Sequence, residues 1–142
     1  MPPGRHPQLL AREGTVLVVI DVQEAYRSVL FEYERVAVAV ARLIQGAVTL
    51  GVPVLATEQY PKGVGHTVAE VATHFPAGTV PIQKMSMSCC GAAEFMTALG
   101  NLGRHQVLIA GASHQGEPGV HLVTPLVVEH DSVAVLIDRG GL

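Results

Sequence analysis

The sequence predicts an α/β fold, a parallel sheet with helices packed on both of its faces. Three observations point there. Apolar runs of strand length, several of them rich in β-branched residues, recur along the chain. Stretches with helical spacing alternate with them. Each run ends at a charged residue or a glycine, and the runs lack the in-out alternation of a sheet with one wet face.

Taken in order, Thr15 to Ile20 is a continuous apolar run that stops at Asp21, as expected for a strand buried on both faces. Val36, Val40, Leu43, Ile44 and Ala47 then share one helical face, and Gly51 is a natural stop. Pro53 to Thr57 predicts a second strand. Thr79 to Gln83 predicts a third, weakened by Pro81, which has no N–H to give a ladder. Ala92 to Leu99 predicts a helix ended by Gly100 or Gly103. Gln106 to Ala110 predicts a fourth strand with Gly111 at its tip, and Ser132 to Ile137 a fifth, ending at Asp138. The interval 112–131 fits least well. A crossover helix is needed there, yet Gly116, Pro118, Gly119 and Pro125 interrupt it. Glycine costs about 1 kcal/mol and proline about 3 kcal/mol in a helix interior. Residues 1–14 read as an N-terminal extension and 15–142 as one domain, with 112–131 divergent.

In such sheets ligands bind beyond the carboxyl ends of the strands. Asp21, Glu58, Lys84 and Gly111 all fall at or just past those ends, so four loops are expected to converge on one crevice.

Composition narrows the function. Of 142 residues, 49% are hydrophobic and 15% charged, which suits a packed globule. The formal charge of −3 and the absence of any lysine and arginine cluster argue against nucleic acid and anionic membrane as partners. No apolar run reaches the roughly 20 residues that span a bilayer, and residues 1–14 lack the apolar segment of a secretory signal. Cys89 and Cys90 are neighbours that would close a strained ring if bridged, which suits a reducing, cytoplasmic setting.

Asp21 and Lys84, at two strand ends, could activate a nucleophile or carry a proton. The same placement suits a structural ion pair, or an aspartate capping a helix. None of the seven histidines pairs with another at metal-ligand spacing, so no metal and no cofactor are expected. The glycines of Lys62-Gly63-Val64-Gly65 do not open a helix as a phosphate loop would, and they read as a flexible lid over the crevice.

Three segments carry a family likeness: Ile20-Asp21-Val22-Gln23-Glu24, Thr57-Glu58-Gln59-Tyr60-Pro61-Lys62-Gly63 and Lys84-Met85-Ser86-Met87-Ser88-Cys89-Cys90-Gly91. Together they resemble the isochorismatase-like, or cysteine hydrolase, superfamily, and most of all its isochorismatase-domain proteins of unassigned substrate. The likeness is collinear from about Thr15 to Gly111. It implies a Rossmann-like three-layer α/β/α fold with a parallel sheet, here without the family's last strand. It also implies a small-molecule substrate or ligand and a homo-oligomer. By motif, Asp21 matches the family's base and Lys84 its lysine, while Gln23, Glu58, Tyr60 and Cys90 fall in the substrate-binding loops.

The family's nucleophilic cysteine is the departure. Counting forward from Gly111, its place is taken by Glu117, and Cys90 is the last cysteine in the sequence. A carboxylate is a far poorer nucleophile toward amides than a thiolate, and Glu117 beside Asp21 would meet like-charge repulsion. Ser113, His114 and Gln115 fall where the family's oxyanion-binding turn lies. Three readings stay open: a family fold that binds a small molecule without amide hydrolysis; a hydrolase working through Asp21 on a vinyl ether, or through a displaced Cys90; and a structural oligomer subunit.

Overall fold

The computed structural model describes residues 9–111. Strand β1 (Thr15–Ile20) leads through a 3₁₀ turn at Glu24–Ser28 into the long helix α1 (Tyr33–Leu50). Strand β2 (Val54–Gln59) is followed by two single-turn helices, α2 (Pro61–Val64) and α3 (Ala69–Ala72). Strand β3 (Ile82–Lys84), a 3₁₀ turn at Cys89–Gly91, helix α4 (Ala93–Leu102) and strand β4 (Gln106–Gly111) complete the described chain. The strands form one sheet in the order β3-β2-β1-β4, and every pairing is parallel. The α/β expectation holds.

The layers follow from strand alternation. Leu17 and Val19 of β1 pack with Ala37, Val40 and Ile44 of α1 and Val71 of α3. Val16 and Val18 point the other way, to Phe95 and Leu99 of α4. Because β1 is central and buried on both sides, it needs the unbroken apolar run that its sequence has. Burying a side chain such as Ile44 or Phe95 contributes roughly 1.5–3 kcal/mol. Helix α1 ends where Gly51 takes the left-handed conformation (φ 69°), and its N–H returns to the carbonyls of Ala47 and Val48.

Several element expectations are corrected. The third strand does not begin at Thr79. It is confined to Ile82–Lys84, because Pro81 offers no N–H and Val80 lies outside the sheet, 79% exposed. The second strand runs on to Gln59, since Thr57, Glu58 and Gln59 pair with Ile82, Gln83 and Lys84. The supposed flexible lid is a turn of helix, α2. Pro61 supplies the helical φ at its first position, and Gly65 is held by the Gln23 side chain. Helix α3, unforeseen, buries Val71 against α1. The fifth strand, the crossover over 112–131, the Ser113–Gln115 turn and Glu117 lie outside the described residues.

Candidate active site

Lys84 is the last residue of β3, on the same face of the sheet as Ile82 and therefore on the α4 side. Its side chain is fully buried. The ammonium donates to Asp21 Oδ2 at 2.8 Å and to Gln59 Oε1 at 2.7 Å. It also reaches the carbonyls of Ser86 at 3.2 Å and Met87 at 3.3 Å. An ammonium has three protons, so these four acceptors already saturate it. Lys84 is a fixed internal cation and has no proton left to grip a ligand.

Asp21 follows β1 directly. Strand alternation would send its side chain to the α1 side with Leu17 and Val19. Its backbone instead turns left-handed, with φ 51°, a conformation that Asp and Asn tolerate better than most residues. That turn brings the carboxylate to the α4 side, where Thr57 donates its hydroxyl to Oδ1 at 2.8 Å and Lys84 holds Oδ2. The Asp21 side chain keeps 13% of its surface exposed while Lys84 keeps none. The carboxylate is thus the member of the pair that a ligand can reach.

Gln59 and Gln23 frame this pair. Gln59 shares the face of Thr57, gives its amide oxygen to Lys84 and donates its amide nitrogen to the Met85 carbonyl at 3.0 Å. Gln23 is completely buried. Its side-chain amide pairs with the backbone of Gln59, accepting from the N–H at 2.7 Å and donating to the carbonyl at 2.9 Å. It donates to the Gly65 carbonyl at 2.7 Å as well, and Tyr33 donates to the Gln23 carbonyl at 2.9 Å. Gln23, expected in a substrate-binding loop, has both ends of its amide committed to the backbone.

Glu58 alternates to the α1 side, away from Lys84, and is buried there. It accepts from the Thr67 N–H at 3.3 Å and lies 3.0 Å from Nδ1 of the exposed His66. Tyr60 is half-exposed and donates its N–H to the Lys84 carbonyl at 3.0 Å, which ties the α2 turn to the end of β3. Arg27, on the turn after Asp21, pairs with Glu24, Glu34 and Glu70 and so fastens that turn to α1 and α3.

The two thiols differ. Cys90 is exposed, whereas Cys89 is buried among the α4-side core residues. Burial pushes the Cys89 thiol above its ordinary value, Lys84 pulls it down, Asp21 raises it again, and a hydrogen bond with Thr57 lowers it. Cys89 therefore feels the Asp21–Lys84 pair. Because the net shift is upward, protonated Cys89 favours the fold at lower pH, and that contribution fades as pH climbs past the ordinary value of 9.0. In a labelling experiment at neutral pH an alkylating reagent should modify Cys90 at least roughly tenfold faster than Cys89. Peptide mass spectrometry with and without denaturant reads this directly, and equal rates in the folded protein would contradict the burial.

Sequence reasoning met Thr57, Gln59 and Cys89 in the family motifs but did not set them among the site residues. The signal for the first two was available: residues 57 and 59 must share a face, and parallel register sets them against Ile82 and Lys84. An apolar cavity of about 780 Å³ lies at the other end of the strands, between Leu10, Thr15, Leu17, Leu43, Leu50 and Leu108. None of the polar groups around Asp21 lines it. The Asp21–Lys84 pair sits at the carboxyl ends.

A buried strand-end lysine paired with an aspartate stands at the carboxyl edge of a parallel sheet, the edge at which α/β proteins bind their ligands. Residues 15–116 match the isochorismatase domain family, and the chain belongs to it. Isochorismatase domain-containing protein 2 of Danio rerio is 36% identical over 107 residues, covering 75% of this chain and 52% of the relative. The protein of that name from Xenopus laevis is 48% identical over 63 residues, covering 44% of this chain and 30% of the relative. Among solved structures, MAR1 ribonuclease of Caenorhabditis elegans superposes with a TM-score of 0.67 at 29% identity, over 72% of this chain and 52% of that one. An octameric hydrolase of unknown specificity from Escherichia coli shares the fold with a TM-score of 0.65 at 23% identity, over the same shares of each chain. The chain spans about half the length, or less, of these curated relatives.

Proposed function

We propose that this protein is a thiol-free hydrolase of a small, uncharged, oxygen-bearing molecule, with Asp21 as the proton-transferring group and Lys84 as its fixed counter-charge. One observation carries the reading: the ammonium is buried and saturated, while the carboxylate it holds is partly open. A ligand anion gains little from a cation already neutralised by Asp21. A bound water or hydroxyl can give a proton to Asp21 as it adds to an electrophilic carbon, and Asp21 can return that proton to the leaving oxygen. Thr57 and Lys84 hold the carboxylate oriented for that transfer. A small-molecule substrate and assembly as a homo-oligomer belong to the same proposal; the octameric hydrolase supports the second.

The test is an activity screen with uncharged esters, amides and vinyl ethers, on the natural sequence and on Asp21→Asn, Cys89→Ala and Cys90→Ala. Expected is turnover that falls by roughly 100-fold or more in Asp21→Asn and survives in both cysteine variants, with no acyl adduct in the intact mass. Activity lost in Cys89→Ala, an acyl adduct on either thiol, or no turnover of any substrate would overturn the reading. A short RNA belongs in the panel because one structural neighbour is named a ribonuclease. With a net charge of −3, this chain is expected to leave it uncut.

A further inference from the structure

We propose that Gln59 is a positioning residue that aims the Lys84 ammonium at Asp21, and that the buried amide of Gln23 is the clamp that holds Gln59 to the task. The inference rests on the reading of Asp21 and Lys84 as the working pair, and it concerns what fixes their geometry.

Lysine ends in a compact ammonium on a flexible four-carbon stem, so its direction is set by what surrounds it. Two of the four acceptors around Nζ are the carbonyls of Ser86 and Met87, which belong to the loop following β3. That loop is itself tied down by Gln59, whose amide nitrogen donates to the Met85 carbonyl. One side chain therefore acts on Lys84 twice, through its own oxygen at 2.7 Å and through the loop that presents the other carbonyls. Three of the four contacts depend on residue 59 directly or at one remove.

Gln59 stands at the very end of β2, where ladder pairing runs out on the β1 side: Ile20 pairs with Thr57, and the chain then turns away at Asp21. Its N–H and carbonyl would otherwise lack partners on that side. Gln23 fills the gap, because a primary amide carries a donor and an acceptor with the geometry of a peptide group. It pairs with the backbone of Gln59 as a neighbouring strand would. The same amide holds Gly65, so the α2 turn, the end of β2 and the residue two positions beyond Asp21 are locked to one another. The circuit runs from Asp21 through Gln23 and Gln59 to Lys84 and back to Asp21. Its geometry can be disturbed without touching either charged residue.

The chain's two lysines provide an internal comparison, since Lys62 is exposed and Lys84 buried. Brief acetic anhydride treatment of the full chain, read by peptide mass spectrometry, should acetylate Lys62 at least about tenfold faster than Lys84. Gln59→Leu should bring the Lys84 rate toward that of Lys62, while Gln59→Glu, which keeps the oxygen that accepts from Lys84 but loses the tie to the Met85 carbonyl, should restore only part of the protection. Backbone amide spectra and the unfolding midpoint show whether each variant is folded. If Gln59→Leu does not fold, Gln59→Asn replaces it, because an amide one carbon shorter keeps its polarity but cannot reach Nζ. Folded Gln59→Leu or Gln59→Asn with Lys84 as protected as in the natural sequence would overturn the assignment. So would a rise in labelling matched by general loosening of the amide spectrum, which is what a merely structural role predicts. No substrate enters this experiment. Protection that responds as expected in a protein without turnover would sink the proposed hydrolase and leave the positioning role standing.

Discussion

Asp21→Asn is expected to lower the unfolding free energy by about 3–5 kcal/mol, because it strands a fully buried ammonium without a counter-charge. Asparagine is the informative replacement. It tolerates the left-handed backbone at position 21 at least as well as aspartate, so it removes charge without adding strain. The Thr57 hydroxyl can still donate to the amide oxygen, which leaves Lys84 as the group that suffers. Lys84→Met should cost less, since Asp21 keeps some access to water and the Thr57 bond. The double variant should recover part of the loss from Asp21→Asn, as replacing both partners of a buried pair often proves close to neutral. Denaturant titration of the three variants against the natural sequence gives the coupling energy, expected at roughly 1–3 kcal/mol. Simple additivity, or an Asp21→Asn cost below about 0.5 kcal/mol, would mean that the pair is solvated in a way the geometry denies.

The same pair marks the boundary of what the sequence disclosed. Strand β1 was legible because a central strand buried on both faces must be apolar at every position, and Thr15 to Ile20 is nearly so. Helix α1 was legible because Val40, Ile44 and Ala47 recur at helical spacing and Gly51 supplies the left-handed cap. The end of β2 was not. Glu58 and Gln59 look like loop residues, and what keeps them in the sheet is pairing with β3, a contact remote in sequence. That extension decides the site, since it turns Glu58 to the α1 side and Gln59 toward Lys84. Family likeness singled out Gln23, Glu58 and Tyr60 as binding residues. The coordinates show an interior clamp, a buried acid beside His66, and a ring at the edge of the α2 turn. A backbone reversal such as the one at Asp21 leaves no trace in hydrophobic patterning, because a single left-handed residue changes direction without changing composition.

Gly111→Ala is expected to damage both the sheet and the site. Gly111 is the last residue of β4 and pairs with Ile20. A methyl group there would stand 2.2 Å from the Ile20 carbonyl oxygen, and 3.0 and 3.1 Å from its carbonyl carbon and Cα. The obstacle is backbone, so no side-chain rotation relieves it, and either β1 or β4 must move. Overpacking of this kind costs roughly 1–3 kcal/mol, and a backbone obstacle argues for the upper end. Ile20 immediately precedes Asp21, so movement of its carbonyl tilts the left-handed turn that aims the carboxylate at Thr57 and Lys84. Loss of stability should therefore come with faster acetylation of Lys84 in the fraction that remains folded. Gly100→Ala in α4 is the matched comparison. It has open space around the added methyl, and alanine is the better helix former by about 1 kcal/mol. It should raise the unfolding midpoint slightly and leave Lys84 untouched. If the two alanine substitutions behaved alike in denaturant titration, the close approach of β4 to Ile20 would not be what holds Asp21 in place.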